Sequence, residues 1–206
     1  MVAALPESVG FALAGGAALI VRGIVDRRTH DLDFFATKSE SVAALAVAAD
    51  HAIRAAGMSC ERIRTAEGFV RLQVSGGTET CELDLSYDAR VRPAERVGGT
   101  EVLSIEELAA DKTLAVFGRA VARDFVDPAA LVHLFGWERL FALAREKDLG
   151  FDRRYFLDAL RAFDRLPADT FDIDPADYDR LRAKVQLWRR ELSAELQRDR
   201  DRGMER

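Results

Sequence analysis

The segment Asp31-Leu32-Asp33-Phe34-Phe35 reads as a β-strand carrying two carboxylates one residue apart. Side chains alternate faces along a strand. Asp31 and Asp33 therefore share one face, while Leu32 and Phe34 turn to the other and can enter a core. Two like charges side by side repel and are costly to desolvate. A hard cation between them relieves both costs. Mg²⁺ takes one or two carboxylates and keeps its remaining positions for water and substrate phosphates, the chemistry of phosphoryl and nucleotidyl transfer. An exposed edge strand that merely carries two acids has the same tripeptide, so the neighbouring sequence has to separate the two readings.

Upstream, Phe11-Ala12-Leu13-Ala14-Gly15-Gly16-Ala17-Ala18-Leu19-Ile20 reads as a short buried strand, a Gly-Gly turn and a helix start. Glycines let backbone N–H groups approach a phosphate, and a helix N-terminus favours its negative charge. Tight packing of helix on sheet uses the same residues. A basic turn, Arg27-Arg28-Thr29, then leads into the acidic strand. Downstream, runs 69–75 and 80–87 alternate around Gly76-Gly77 and predict a hairpin. Cys81, Leu83 and Leu85 share one face of the second run, and Glu82 and Asp84 share the other. If the apolar face packs on helices, Asp84 joins Asp31 and Asp33 on the open face, and three such acids can hold two divalent ions. A polar residue on a half-solvated strand is the plain alternative for Asp84.

A length of 206 residues suggests one domain or a domain plus a small helical companion, and the expected division is a catalytic core over 1–100 with a helical part over 101–206. Net charge is −5, so no global positive field recruits nucleic acid, and any such contact needs a local patch. Cys60 and Cys81 lack metal-ligand spacing and read as buried small hydrophobes in a reduced compartment. The apolar stretches 11–21 and 42–49 are short of the ~20 residues a span needs and lack signal-peptide flanks, which implies a cytoplasmic protein with no membrane partner.

Strands are predicted over 11–14, 31–35, 59–64, 69–75 and 80–87, with helices over 16–23 and 39–56. After Pro93 and Gly98-Gly99 the chain becomes helical. Ser104-Ile105-Glu106-Glu107 reads as a capping box. Further helices are expected near 126–136, 138–147, 153–165 and 175–198. The last carries an apolar stripe, Tyr178, Leu181, Val185, Trp188, Leu192 and Leu196, suited to core packing. The tail 197–206 mixes charge signs and reads as a solvated, fraying end.

A second constellation runs Lys112, Arg119, Arg123, Asp124, Asp127. Lys112 falls within the capped helix, with Arg119 two turns on along much the same face. An ammonium is a compact donor for a triphosphate, and Asp127 could position or deprotonate an attacking hydroxyl. A surface ion-pair network joining two helices is the alternative. His30, His51 and His133 are scattered and read as surface or packing residues.

The order and spacing of these pieces resemble the AbiEii/AbiGii-type nucleotidyltransferase toxins of type IV toxin–antitoxin systems, a group that includes the MenT-like tRNA nucleotidyltransferases. The matching residues are Gly15-Gly16-Ala17-Ala18-Leu19, Arg28-Thr29-His30-Asp31-Leu32-Asp33, Glu82-Leu83-Asp84, and Asp111-Lys112 followed by Arg119, Arg123-Asp124 and Asp127, within about residues 11–135. The resemblance implies an α/β (α+β) fold, a mixed sheet flanked by helices with a helical C-terminal part. It implies Mg²⁺-dependent transfer of an NMP from an NTP to the 3′ acceptor end of tRNA, with pyrophosphate released and aminoacylation blocked.

In that reading Asp31, Asp33 and Asp84 hold metal, and Gly15, Gly16, Arg28, Lys112 and Arg119 hold the nucleotide. Asp127 is an essential acid, and Pro128 after it suits a first helical position. A cognate antitoxin is the implied partner, and Thr29 is a candidate regulatory phosphosite. A small-molecule, antibiotic-type nucleotidyltransferase and an inactive fold acting only as a binding partner are the alternatives.

Overall fold

The computed structural model describes residues 1–204. Two compact units appear, Met1–Leu108 and Ala109–Arg206, with the division inside one helix rather than in the loop before it.

The first unit is a seven-stranded mixed sheet with helices. Its elements are β1 (Phe11–Ala14), α1 (Gly15–Val21), β2 (Asp31–Ala36), α2 (Glu40–Ala55), β3 (Ser59–Ala66), β4 (Phe69–Gly76), β5 (Glu79–Tyr87), β6 (Glu95–Val97) and β7 (Thr100–Val102). Strand order is β3-β4-β5-β2-β1-β7-β6. β2 runs antiparallel to β1 and parallel to β5. One face packs on α2, whose Val42, Leu45, Ala46, Ala49 and Ile53 are buried at helical spacing. Registers align Leu13, Phe34, Leu85 and Val70 in a row on this apolar face, and all four are buried. Leu32 differs from expectation. It sits at the strand's start, 37% exposed, and the strand enters the core only at Phe34.

The short hairpin β6–β7 was not foreseen in the sequence. Gly98 and Gly99 both take positive φ (55° and 85°), the turn that joins two strands through two residues. Their pattern was legible, but the three-residue strands are too short to show alternation. At the sheet's other edge, β3 is nearly all exposed, charged, and bulged between Arg62 and Arg64, features that discourage a further strand from pairing there.

The helix α3 (Ile105–Gly118) starts in the first unit. Half of the expected capping box forms: Glu107 N–H donates to Ser104 Oγ at 3.2 Å. The Glu107 carboxylate, fully buried, instead accepts from the backbone N–H of Val91 (3.2 Å) and Arg92 (3.0 Å) and ties down the loop before β6.

In the second unit, α3 continues into a 3₁₀ turn (Ala122–Phe125), α4 (Pro128–Lys147), α5 (Arg153–Ala162) and α6 (Pro175–Met204). Gly136, at φ 67° and ψ 163°, breaks α4 where two helices were expected. The core is aromatic: Phe125, Phe141, Phe156, Phe163, Phe171 and Trp188 are buried together. Trp137 stacks on Phe141 at 5.3 Å and meets Trp188 edge-on at 5.2 Å. The α6 stripe from Leu181 to Leu192 enters this core, as its spacing predicts. Arg153 clasps α4 and α6, donating to Glu138 at 2.7 Å and Glu195 at 2.9 Å. The tail expected to fray is helical through Met204, with Gln197 bonded to Asp201 one turn on; residues 205–206 lie outside the described residues. No helix among the described residues is long and apolar enough to cross a membrane.

Candidate active site

The open face of the first unit's sheet gathers acids by register. Parallel pairing of β2 with β5 sets Asp33 opposite Asp84 and Asp31 opposite Glu82. Directly opposed residues share a face, so four carboxylates occupy two adjacent rows. The three acids expected for metal, Asp31, Asp33 and Asp84, are thus brought onto neighbouring strands, half-buried.

Arg71 completes this face and was missed. It lies opposite Asp84 on β4. Its Nε donates to Asp84 Oδ1 at 2.7 Å and its Nη2 to Asp84 Oδ2 at 2.6 Å, while Nη1 reaches Glu82 at 2.9 Å. The strands pair about a turn at Gly77-Thr78, which sets Arg71 against Asp84; the turn read at Gly76-Gly77 would set it against Glu82 instead. A bidentate guanidinium–carboxylate fork is among the stronger polar contacts and fixes the plane of the acid.

Gly15 is explained by Asp33. At φ 62° it adopts a backbone disfavoured for other residues, and the space a Cβ would fill is taken by the Asp33 carboxylate. The space at Gly16 is taken by the Arg27 guanidinium, the far end of a flexible side chain. The turn therefore lets the acidic strand and a basic side chain close onto the start of α1, whatever further use its amides have. Gly15→Ala should lower activity by at least tenfold by displacing Asp33, whereas Gly16→Ala should stay within threefold because Arg27 can move, roughly 1.4 against 0.6 kcal/mol or less. Equal losses in side-by-side kinetic assays would defeat this distinction.

The basic turn is ordered by Thr29. Its hydroxyl donates to the Asp31 carbonyl at 3.2 Å and accepts from the Asp31 N–H at 3.3 Å, so it braces the backbone of the first acid. Arg28 is exposed, and its carbonyl accepts from Arg27 Nη1 at 2.9 Å. His30, His51 and His133 are all exposed, as read from the sequence. Burial pushes the Cys60 thiol up to about 11, so it is an inert core residue. Cys81 is only half-buried, and its thiol is raised first by burial and then by the nearby Asp31 charge.

The second unit pairs two predicted site residues. Lys112 Nζ lies 2.8 Å from Asp127 Oδ2, with the lysine 17% and the aspartate 1% exposed. Asp127 is the residue before the first turn of α4, and Pro128 takes the first helical position. In this arrangement the acid orients the ammonium. Arg119 falls one residue beyond α3 and grips Asp124 through Nε and Nη2 at 2.7–3.0 Å; the Asp124 carboxylate also caps the N–H of Val121 at 3.1 Å. Asp111, from the same matched segment, is ion-paired with Lys147.

Hard carboxylate oxygens crowded on one sheet face suit a hard divalent cation. Asp31 and Asp33 are the residues that would hold it, with Asp84 in register beside them.

A family model, "Nucleotidyl transferase AbiEii toxin, Type IV TA system", matches residues 2–203. No curated protein matches the chain. Among solved structures, a putative nucleotidyltransferase from Helicobacter pylori aligns with a TM-score of 0.50 at 18% identity, covering 91% of each chain. JHP933 from the same organism gives 0.48 at 18%, covering 97% of this chain and 93% of that one. MenT4, a nucleotidyltransferase toxin from Mycobacterium tuberculosis, gives 0.49 at 23%, covering 75% and 58%. The first of these likenesses supports the fold.

Proposed function

Because this chain belongs to the AbiEii nucleotidyl transferase toxin family, and is thereby a nucleotidyltransferase, we propose that it transfers an NMP from an NTP to the 3′ end of tRNA in a Mg²⁺-dependent reaction. The observation that carries the reading is the row Asp33–Asp84, flanked by Asp31, on one face of the sheet. In this reaction the acceptor 3′-oxygen attacks the α-phosphorus. The bond from that phosphorus to the bridging oxygen breaks, pyrophosphate leaves with the electron pair, and the hydroxyl proton passes to solvent or a carboxylate. A bound divalent ion would supply charge neutralisation at the phosphates and a more acidic attacking hydroxyl.

The chain's own residues divide the rest. Asp31 and Asp33 would hold the ion, and Gly15 gives Asp33 its place. Lys112 donates to the triphosphate, and Asp127 keeps its ammonium oriented. Arg28, exposed beside the acidic strand, is available to phosphate oxygens. Arg119 serves the nucleotide only by leaving Asp124, so in the state seen it stabilises the turn into α4. Blocked aminoacylation follows from an extended acceptor end, and a cognate antitoxin is the partner that would restrain the enzyme.

Incubation with each radiolabelled NTP, total tRNA and Mg²⁺ tests the proposal. Label in tRNA, absent when chelator replaces Mg²⁺, is the expected result. Label only in a hydroxylated small molecule would move the acceptor to that class. No label with any acceptor would leave a binding fold and overturn the reading.

Thr29 offers a means of control. A phosphate there carries about −1.5 to −2 charges and would remove the hydroxyl hydrogen that Thr29 donates to the Asp31 carbonyl. It would compete for Arg27 and Arg28 and repel the incoming triphosphate. The stoichiometrically phosphorylated protein and Thr29→Glu should both be inactive, while Thr29→Val remains folded. Full activity of the phosphorylated sample would rule out this switch without touching the transfer reaction.

A further inference from the structure

Arg71 stands where a second function of the acidic face can be read. Its guanidinium grips both oxygens of Asp84 at 2.7 and 2.6 Å, yet its third nitrogen already rests on Glu82 at 2.9 Å. A fork of this kind uses the inward-facing lone pairs of both carboxylate oxygens, the same lone pairs that a cation takes most readily. Asp84 is 14% exposed and Glu82 40%, so the inner seat is the drier and the outer one the more hydrated. A guanidinium holding two acids at once can give up one and stay neutralised by the other.

We propose that Arg71 is a built-in counter-ion gate. It withholds Asp84 from a divalent cation while the site lacks nucleotide, and releases it by shifting its weight to Glu82. The inference rests on the metal reading of Asp31 and Asp33. It goes further by assigning two residues, Arg71 and Glu82, to control of how many carboxylates the cation can reach. Arg71 acts as a positioning residue through Asp84. The benefit is electrostatic: four acids in two adjacent rows are partly neutralised at rest, so the face folds stably without metal. Phe69 flanks Arg71 on the side away from Glu82, its ring centroid 6.0 Å from the Arg71 guanidinium carbon and 5.7 Å from that of Arg64, so a shift toward Glu82 gives up this contact.

The test is Mn²⁺ binding to the nucleotide-free protein, read from loss of the free-ion electron paramagnetic resonance signal. Arg71→Met should tighten Mn²⁺ binding by about tenfold, the change a nearby unit charge commonly makes. Asp84→Asn should cost several-fold more affinity in the Arg71→Met background, where the carboxylate is free to ligate, than in the wild type, where the fork already withholds it. Arg71→Lys keeps the charge and loses the fork, so a gain there isolates withheld lone pairs from simple charge repulsion; it also serves if Arg71→Met does not fold. Unchanged or weaker binding in the folded Arg71 variants would overturn the gate, as would an equal cost of Asp84→Asn in both backgrounds. Asp33→Asn separates the two levels. Binding that depends on Asp33 but ignores Arg71 sinks the gate alone, whereas binding indifferent to Asp33 sinks the metal reading beneath it.

Discussion

Asp33→Ala should lower NMP transfer by about 10³-fold and leave the protein folded. The side chain lies on the half-open face of β2, away from the α2 core, so its removal takes away no apolar packing. It also relieves repulsion with the neighbouring Asp31, so the variant should still melt in one cooperative transition. The loss of activity reflects a metal ligand, whose contribution of several kcal/mol to transition-state charge corresponds to factors of about 10²–10⁴. The control is Leu85→Ala, one residue along from Asp84 but on the apolar face and fully buried. It should cost about 2–5 kcal/mol of stability through the cavity it leaves. Nucleotide-incorporation kinetics beside thermal melts would read both. An Asp33→Ala protein retaining a tenth or more of its activity would remove Asp33 from the site.

Lys112→Met should damage both folding and catalysis, and a second substitution should rescue only the first. Asp127 is 1% exposed and its Oδ2 lies 2.8 Å from the Lys112 ammonium. Taking away one partner of a buried ion pair costs about 3–5 kcal/mol, with the lower end apt because Lys112 keeps 17% exposure. Lys112→Met combined with Asp127→Asn removes both charges and should recover much of that stability, since a neutral pair of similar size is often tolerated. Activity should stay low in the double variant, because the triphosphate has lost its donor. A thermodynamic cycle over the four proteins, in urea and in an NTP-binding assay, checks this. Wild-type NTP affinity in the double variant would reduce the pair to a structural one.

Much of the first unit was legible because its signals are local. The strand of Asp31 and Asp33, the Gly15-Gly16 turn and the hairpin of β4 and β5 each follow from alternation or from glycine in a short window. The same holds for α2, whose buried residues recur at helical spacing. The short strands β6 and β7 escaped because a three-residue strand has no period to read. The helical course of the tail through Met204 escaped because a charged sequence with few apolar positions gives no periodic stripe, even where adjoining turns continue the helix.

By itself the sequence determined where each candidate residue sits within its own element. Local rules placed Asp31 and Asp33 on one face, put Pro128 at the head of a helix behind Asp127, and ordered the family's motifs along the chain. Only the tertiary structure decided what those residues do to one another. Parallel pairing across a long crossover set Asp33 against Asp84, and no local pattern encodes that register. Folding put the Asp33 carboxylate over Gly15, closed the Arg71 fork on Asp84, drew Lys112 and Asp127 into a buried pair, and sent Glu107 to a loop instead of its own cap. The physical reason is range. Alternation, capping and turn chemistry act within a few residues, whereas charge pairing and desolvation act between whichever groups the packed core leaves side by side.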